Sequence, residues 1–149
     1  MLYQKFQLPM TNADFEPFDV SYVIDDSEVT CKVHKKLIEK SKLSKKQLAF
    51  SSPVQALKFL VRDIKTQKKI LLLLDLEMPM VNGIDFLDII TGINASDEQL
   101  SVYIVSTTIY EHLDNAVIYN PIVKRHLKKP LESKDLSQKS VTADCYEEF

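Results

Sequence analysis

The sequence predicts an α/β domain on a doubly wound, five-stranded parallel sheet, and three observations carry that prediction. Short apolar runs alternate with amphipathic stretches along the chain. The run Ile70 to Leu74 is aliphatic at every position, as a strand must be when helices cover both sheet faces. Groups suited to a single chemistry close four of the five apolar runs, where open parallel sheets bind ligands.

In chain order, Val20 to Ile24 is a short apolar run that stops at Asp25-Asp26 and reads as a buried strand. Residues 28–40 carry Val29, Val33 and Leu37 at steps of four, which makes one helix face apolar. Leu48-Ala49-Phe50 predicts a second strand. Ser52-Pro53 then supplies a helix N-cap and a first-turn proline. Leu57, Leu60, Val61 and Ile64 give the following helix its stripe. After the third strand, Glu77 to Gly83 reads as a loop, and Ile84, Leu87 and Ile90 open a third helix.

Val102 to Val105 predicts the fourth strand, closed by Ser106-Thr107-Thr108. Ile109, Leu113, Ala116 and Val117 mark a fourth helix that Asn120-Pro121 ends. Ile122, Val123 and Leu127 form the fifth strand, running into Lys129-Pro130. A fifth helix is expected from Leu136, Val141, Cys145 and Phe149, whose uneven spacing makes it short or poorly amphipathic. Before the regular pattern, residues 1–19 read as an N-terminal extension, aromatic enough to pack loosely on the domain.

Composition narrows the function class. A chain of 149 residues, 45% hydrophobic and 27% charged, suits one soluble domain whose core needs neither metal nor disulfide. Net charge is −2, which implies no bulk attraction to nucleic acid or anionic membrane, and no basic stripe is expected. Cys31 and Cys145 lie far apart and form no ligand cluster. No apolar run approaches the ~20 residues of a membrane span. No secretion signal opens the chain. A reducing cytoplasm is therefore the expected location.

The strand ends carry Asp25-Asp26, Asp75, Ser106 and Lys129. Alone, each has a plain reading: an Asp pair is commonly a turn or cap, Lys-Pro a turn, and Ser-Thr-Thr an N-cap. Together they converge on phosphate chemistry. Clustered carboxylates repel one another unless a hard divalent cation joins them. Mg²⁺ would shield an incoming phosphate, Lys129 would neutralise a phosphoryl oxygen, and Ser106 would donate a hydrogen bond. A carboxylate nucleophile would then form an acyl phosphate.

The motifs Tyr22-Val23-Ile24-Asp25-Asp26-Ser27, Leu73-Leu74-Asp75-Leu76-Glu77-Met78-Pro79-Met80 with Asn82-Gly83, Ile104-Val105-Ser106-Thr107 and Leu127-Lys128-Lys129-Pro130-Leu131 resemble the receiver domains of two-component response regulators. All stand in order across about residues 20–136. The resemblance implies a flavodoxin-like receiver fold with strand order 2-1-3-4-5. It divides the chain into an extension (1–19), a receiver domain (20–140) and a tail (141–149), with no second domain, as in stand-alone chemotaxis regulators.

The resemblance also implies roles. Asp75 would be the phosphoacceptor. Asp26 and Asp75 would ligate Mg²⁺ directly, Asp25 through water, and Glu77 through its backbone carbonyl. Ser106 would be the switch hydroxyl, and Lys129 the phosphate sensor before a cis peptide at Pro130. Gly83 would supply a permissive backbone. His126 stands where the family often has Tyr or Phe, and would turn inward on activation. The partners implied are a sensor histidine kinase or a histidine phosphotransfer protein, and a downstream protein; nucleic acid and membrane are not among them. The domain would be no turnover enzyme, catalysing only its own phosphoryl transfer and dephosphorylation.

Two rival readings fit less well. A haloacid-dehalogenase-type phosphohydrolase needs a second Asp two residues after the nucleophile, where this chain has Glu77, and leaves Asp25-Asp26 unexplained. A flavodoxin-like electron carrier needs a Ser/Thr/Gly-rich phosphate loop where Asp25-Asp26 would repel the flavin phosphate.

Overall fold

The computed structural model describes residues 15–93, 95–107 and 115–138. β1 (Phe18–Ile24), β2 (Ser44–Phe50), β3 (Ile70–Asp75), β4 (Leu100–Ser106) and β5 (Val123–Lys128) form one sheet in the order β2-β1-β3-β4-β5. Every pairing is parallel. This is the doubly wound order expected of the sequence, with its reversal between β1 and β3.

β3 is central, and all six of its residues are buried. Side chains alternate across a strand, so Ile70, Leu72 and Leu74 enter one core with Leu60, Ile64, Phe86 and Ile90. Leu71 and Leu73 enter the other with Cys31, Ile38, Leu127 and Leu136. The first core lies under α2 (Pro53–Lys65) and α3 (Gly83–Thr91), the second under α1 (Glu28–Ser41). Truncating any of these β3 leucines to alanine would cost about 2–5 kcal/mol. The strand's aliphatic run thus holds its terminal Asp75 in place from both faces.

The helix starts follow the sequence. Ser27 caps α1 by accepting from the Thr30 N–H at 3.2 Å, and Ser52 caps α2, with Pro53 in its first turn. Asn82 caps α3, accepting from the Asp85 N–H at 2.9 Å.

Two details differ from expectation, and two expected helices lie largely outside the described residues. β1 begins at Phe18, because Phe18 is buried and its N–H donates to the Leu43 carbonyl. β2 starts at Ser44 rather than Leu48; an edge strand leaves Lys45 and Lys46 in solvent, so its first half lacks an apolar signature. The fourth helix is described only as α4 (Asn115–Ile118), and Ile109 and Leu113 lie outside the described residues. A 3₁₀ turn at Ser133–Leu136 buries Leu136, and Gln138 beyond it is helical; the remainder of the expected fifth helix, with Val141, Cys145 and Phe149, lies outside the described residues. No helix among the described residues is long and apolar enough to cross a membrane.

Candidate active site

β1 and β3 deliver the acids side by side. Asp25 directly follows β1, and Asp75 is the last residue of β3. One carboxylate oxygen from each of Asp25, Asp26 and Asp75 lies within 4.8 Å of the others. Asp25 and Asp75 are buried and Asp26 is exposed. Asp25 Oδ1 accepts from the Ser27 N–H at 2.9 Å, and Asp75 Oδ1 from the Glu77 N–H at 3.1 Å. Each buried acid is therefore oriented by the amide two residues ahead.

Lys129 enters from the end of β5. Its backbone N–H donates to the Ser106 carbonyl at 2.9 Å, and Lys129-Pro130 is cis as expected. The ammonium donates to Asp25 Oδ2 at 2.6 Å and stands 3.4 Å from Asp75 Oδ1. Burial alone would lower the Lys129 pKa, but hydrogen bonding and attraction from Asp25 and Asp75 outweigh it and hold the pKa above the usual lysine value.

One cation does not balance three carboxylates. Burial, joined by the Asp25 charge, pushes the Asp75 pKa up to about 6 against the opposing Glu77 N–H and Lys129. A hard cation fits this donor set: three convergent carboxylates, two of them buried, with negative charge in excess. The groups expected at the strand ends are thus brought together, with Ser106 buried at the end of β4.

Three features of the site were not legible in advance. The Glu77 side chain, assigned only a backbone role, reaches across to β4: its carboxylate accepts from Thr107 Oγ1 at 2.9 Å and from Ser106 Oγ at 3.4 Å. Gly83 has no positive φ, which corrects the reason for its glycine. A β-carbon there would stand 2.4 Å from the Asp75 carbonyl oxygen and 2.7 Å from Leu76 Cα, so close approach excludes any larger residue. The left-handed residue of this loop is Met80, with φ 69°. His34 of α1 is the third surprise, a buried imidazole near the site whose pKa is lowered by burial, with Asp25 opposing and Lys129 reinforcing.

His126 of β5 pairs with Ile104 of β4 and is half-buried. Burial lowers its pKa from the ordinary histidine value.

Residues 22–140 match the response regulator receiver domain family. The chain belongs to that family. Solved structures of similar fold include a response regulator receiver domain protein from Clostridium thermocellum, 25% identical at a TM-score of 0.64 over 85% of this chain and 94% of that one. A two-component response regulator from Cytophaga hutchinsonii is 17% identical at a TM-score of 0.69, covering 89% and 100% of the two chains. The response regulator StyR is 16% identical at a TM-score of 0.66 over 86% of this receiver, which spans only 61% of StyR. No curated protein sequence matches the chain.

Proposed function

We propose that this receiver accepts a phosphoryl group on Asp75 in a two-component or phosphorelay pathway and signals through altered protein contacts. The observation that carries this reading is a buried strand-end carboxylate flanked by an acidic pair and a lysine ammonium. A carboxylate oxygen of Asp75 attacks the phosphorus of a phosphohistidine. The new O–P bond forms as the P–N bond breaks, and its electron pair leaves with the imidazole. Asp25, Asp26, Asp75 and the Glu77 backbone carbonyl would hold Mg²⁺, which supplies charge neutralisation at the phosphoryl oxygens. Lys129 neutralises a further oxygen, and Ser106 donates a hydrogen bond to the product. His126 would adjust beside β5 as Ser106 moves.

The donors implied are a sensor histidine kinase or histidine phosphotransfer protein, and the receiver itself is no turnover enzyme. Acetyl phosphate with Mg²⁺ should add one phosphoryl group by intact mass, and Asp75→Asn should add none. A mass shift that survives in the variant defeats the assignment of Asp75. Repeated turnover of aryl phosphates by the parent chain would instead favour a phosphohydrolase.

A further inference from the structure

Glu77 touches both halves of the candidate switch. Its backbone N–H orients the Asp75 carboxylate at 3.1 Å. Its exposed side chain crosses to the end of β4, thirty residues on, where Thr107 Oγ1 stands 2.9 Å from Oε2 and 3.0 Å from Oε1. Ser106 Oγ approaches Oε1 at 3.4 Å. Thr107 makes the shorter contact, and a hydroxyl donated to a carboxylate is the stronger kind of hydrogen bond. The Ser106 contact is long and correspondingly weak.

We propose that Glu77 is a positioning residue that latches the end of β4 and sets how readily the receiver takes up a phosphoryl group. The inference rests on the reading of Asp75 as acceptor and Ser106 as the hydroxyl that meets the phosphoryl group. A phosphoryl dianion on Asp75 would draw the Ser106 hydroxyl that now faces the Glu77 carboxylate. Two anions then compete for one donor, and their mutual repulsion disfavours keeping both. Glu77 must therefore release Ser106, and with it Thr107, as the phosphoryl group arrives. The latch converts charge on Asp75 into movement of the β4 end, and it raises the threshold for that conversion.

Charge and hydrogen bonding can be separated by substitution. Glu77→Gln keeps an acceptor for Thr107 but removes the charge. Thr107→Val keeps the shape and the charge but removes the strong hydrogen bond. Both leave the Glu77 backbone, and so its carbonyl, unchanged. The probe is beryllofluoride with Mg²⁺, a mimic of the acyl phosphate, titrated by NMR at low and high salt.

Glu77→Gln should bind beryllofluoride about three- to tenfold more tightly than the parent at low salt, with the gain shrinking as salt screens the charge. Thr107→Val should show a smaller gain that salt does not alter. In the unliganded proteins, the Ser106 and Thr107 amide resonances should shift toward their beryllofluoride-bound positions in both variants. Equal affinity in parent and Glu77→Gln, with unmoved Ser106 and Thr107 resonances, overturns the latch. Absence of beryllofluoride binding in the parent, with the protein folded, overturns the underlying acceptor reading instead.

Discussion

Asp63 and Asp75 are both buried aspartates close to lysine, with exposures of 2% and 3%, yet their surroundings oppose each other. Asp63, in the last turn of α2, accepts from the Tyr22 hydroxyl and faces Lys68 Nζ at 3.2 Å and Arg62 Nε at 3.7 Å. Burial and the Asp63 hydrogen bond push the Tyr22 pKa up, so the phenol keeps its proton and remains a donor. Asp75 shares its space with Asp25 and Asp26, against the single ammonium of Lys129. A buried acid matched by donors and cations locks a helix to a strand. A buried acid crowded by like charge stores unfavourable energy that a ligand can relieve. Burial alone does not distinguish a structural carboxylate from a chemical one; the local charge balance does.

The largest effect expected from this contrast is at the matched acid. Asp63→Ala should destabilise the fold by about 2–4 kcal/mol, because it orphans the buried Tyr22 hydroxyl and leaves a void. Lys68 and Arg62 are partly exposed and can turn to water, so they add little. Urea unfolding measures it. A loss below about 1 kcal/mol would show that Asp63 is not the anchor this geometry describes.

Asp75→Asn should act in the opposite direction. The folded Asp75 pKa lies near 6 against an ordinary 3.8, so folding disfavours the ionised form. The stability associated with this group is fully present below pH 3.8 and is lost as pH rises through 6. At pH 7.5 the variant should therefore exceed the parent by about 1–3 kcal/mol, the upper figure being the whole shift converted. At pH 4 the difference should nearly vanish. A destabilised Asp75→Asn at pH 7.5 would mean that Lys129 already balances the cluster.

The same contrast explains what the sequence made legible. The fold and the strand-end groups were readable because they depend on periodicity and on local order: Asp25, Asp75, Ser106 and Lys129 all fall where an apolar run stops. The Asp63–Tyr22 pair was invisible, since each residue is unremarkable in its own stretch and only the packing of α2 against β1 joins them. The Glu77–Thr107 contact was missed for a similar reason, with thirty residues between partners. β2 was read short because an edge strand need not alternate.

Whole-chain charge also misled. Residues 32–69 hold eleven Lys and one Arg against Glu39 and Asp63. A net charge of −2 therefore averages a basic α1–β2–α2 edge with acids elsewhere, and the expectation of no basic stripe fails there.

Mg²⁺ should sharpen the comparison at intermediate scale. A cation that binds only the folded cluster stabilises by RT ln(1 + [Mg²⁺]/Kd), about 1.4 kcal/mol at ten times Kd. The Asp63→Ala variant should show this gain in full, because its cluster is intact. Asp26→Ala should lose most of it while starting from equal or higher stability in EDTA, since one like charge is gone. Thermal unfolding with and without Mg²⁺ reads both quantities. An equal Mg²⁺ gain in Asp26→Ala and the parent removes Asp26 from the ligand set.

The smallest effect concerns His34, which lies near the crowded acids and titrates against Asp75. Burial is the main cause of its lowered pKa; Asp25 pulls the other way and Lys129 pushes with burial. Below its ordinary value of 6.5 the unfolded chain binds a proton that the folded chain resists, so stability through this group falls as pH falls. Asp75 does the reverse between pH 6 and 3.8, where the folded chain holds the extra proton. The two slopes oppose each other in the parent between pH 6.5 and 5. Asp75→Asn removes the compensating slope and should lose about 1 kcal/mol more than the parent over that interval. Adding His34→Gln to that variant should restore a flatter profile, even if it lowers stability at every pH by disturbing packing. His126, also shifted down by burial, is present in all three proteins and cancels in the differences. Urea midpoints at pH 7.0, 6.0 and 5.0 (roughly one step on either side of the crossing) provide the test. Parallel profiles for Asp75→Asn and the double variant would show that His34 carries its proton equally in the folded and unfolded chains.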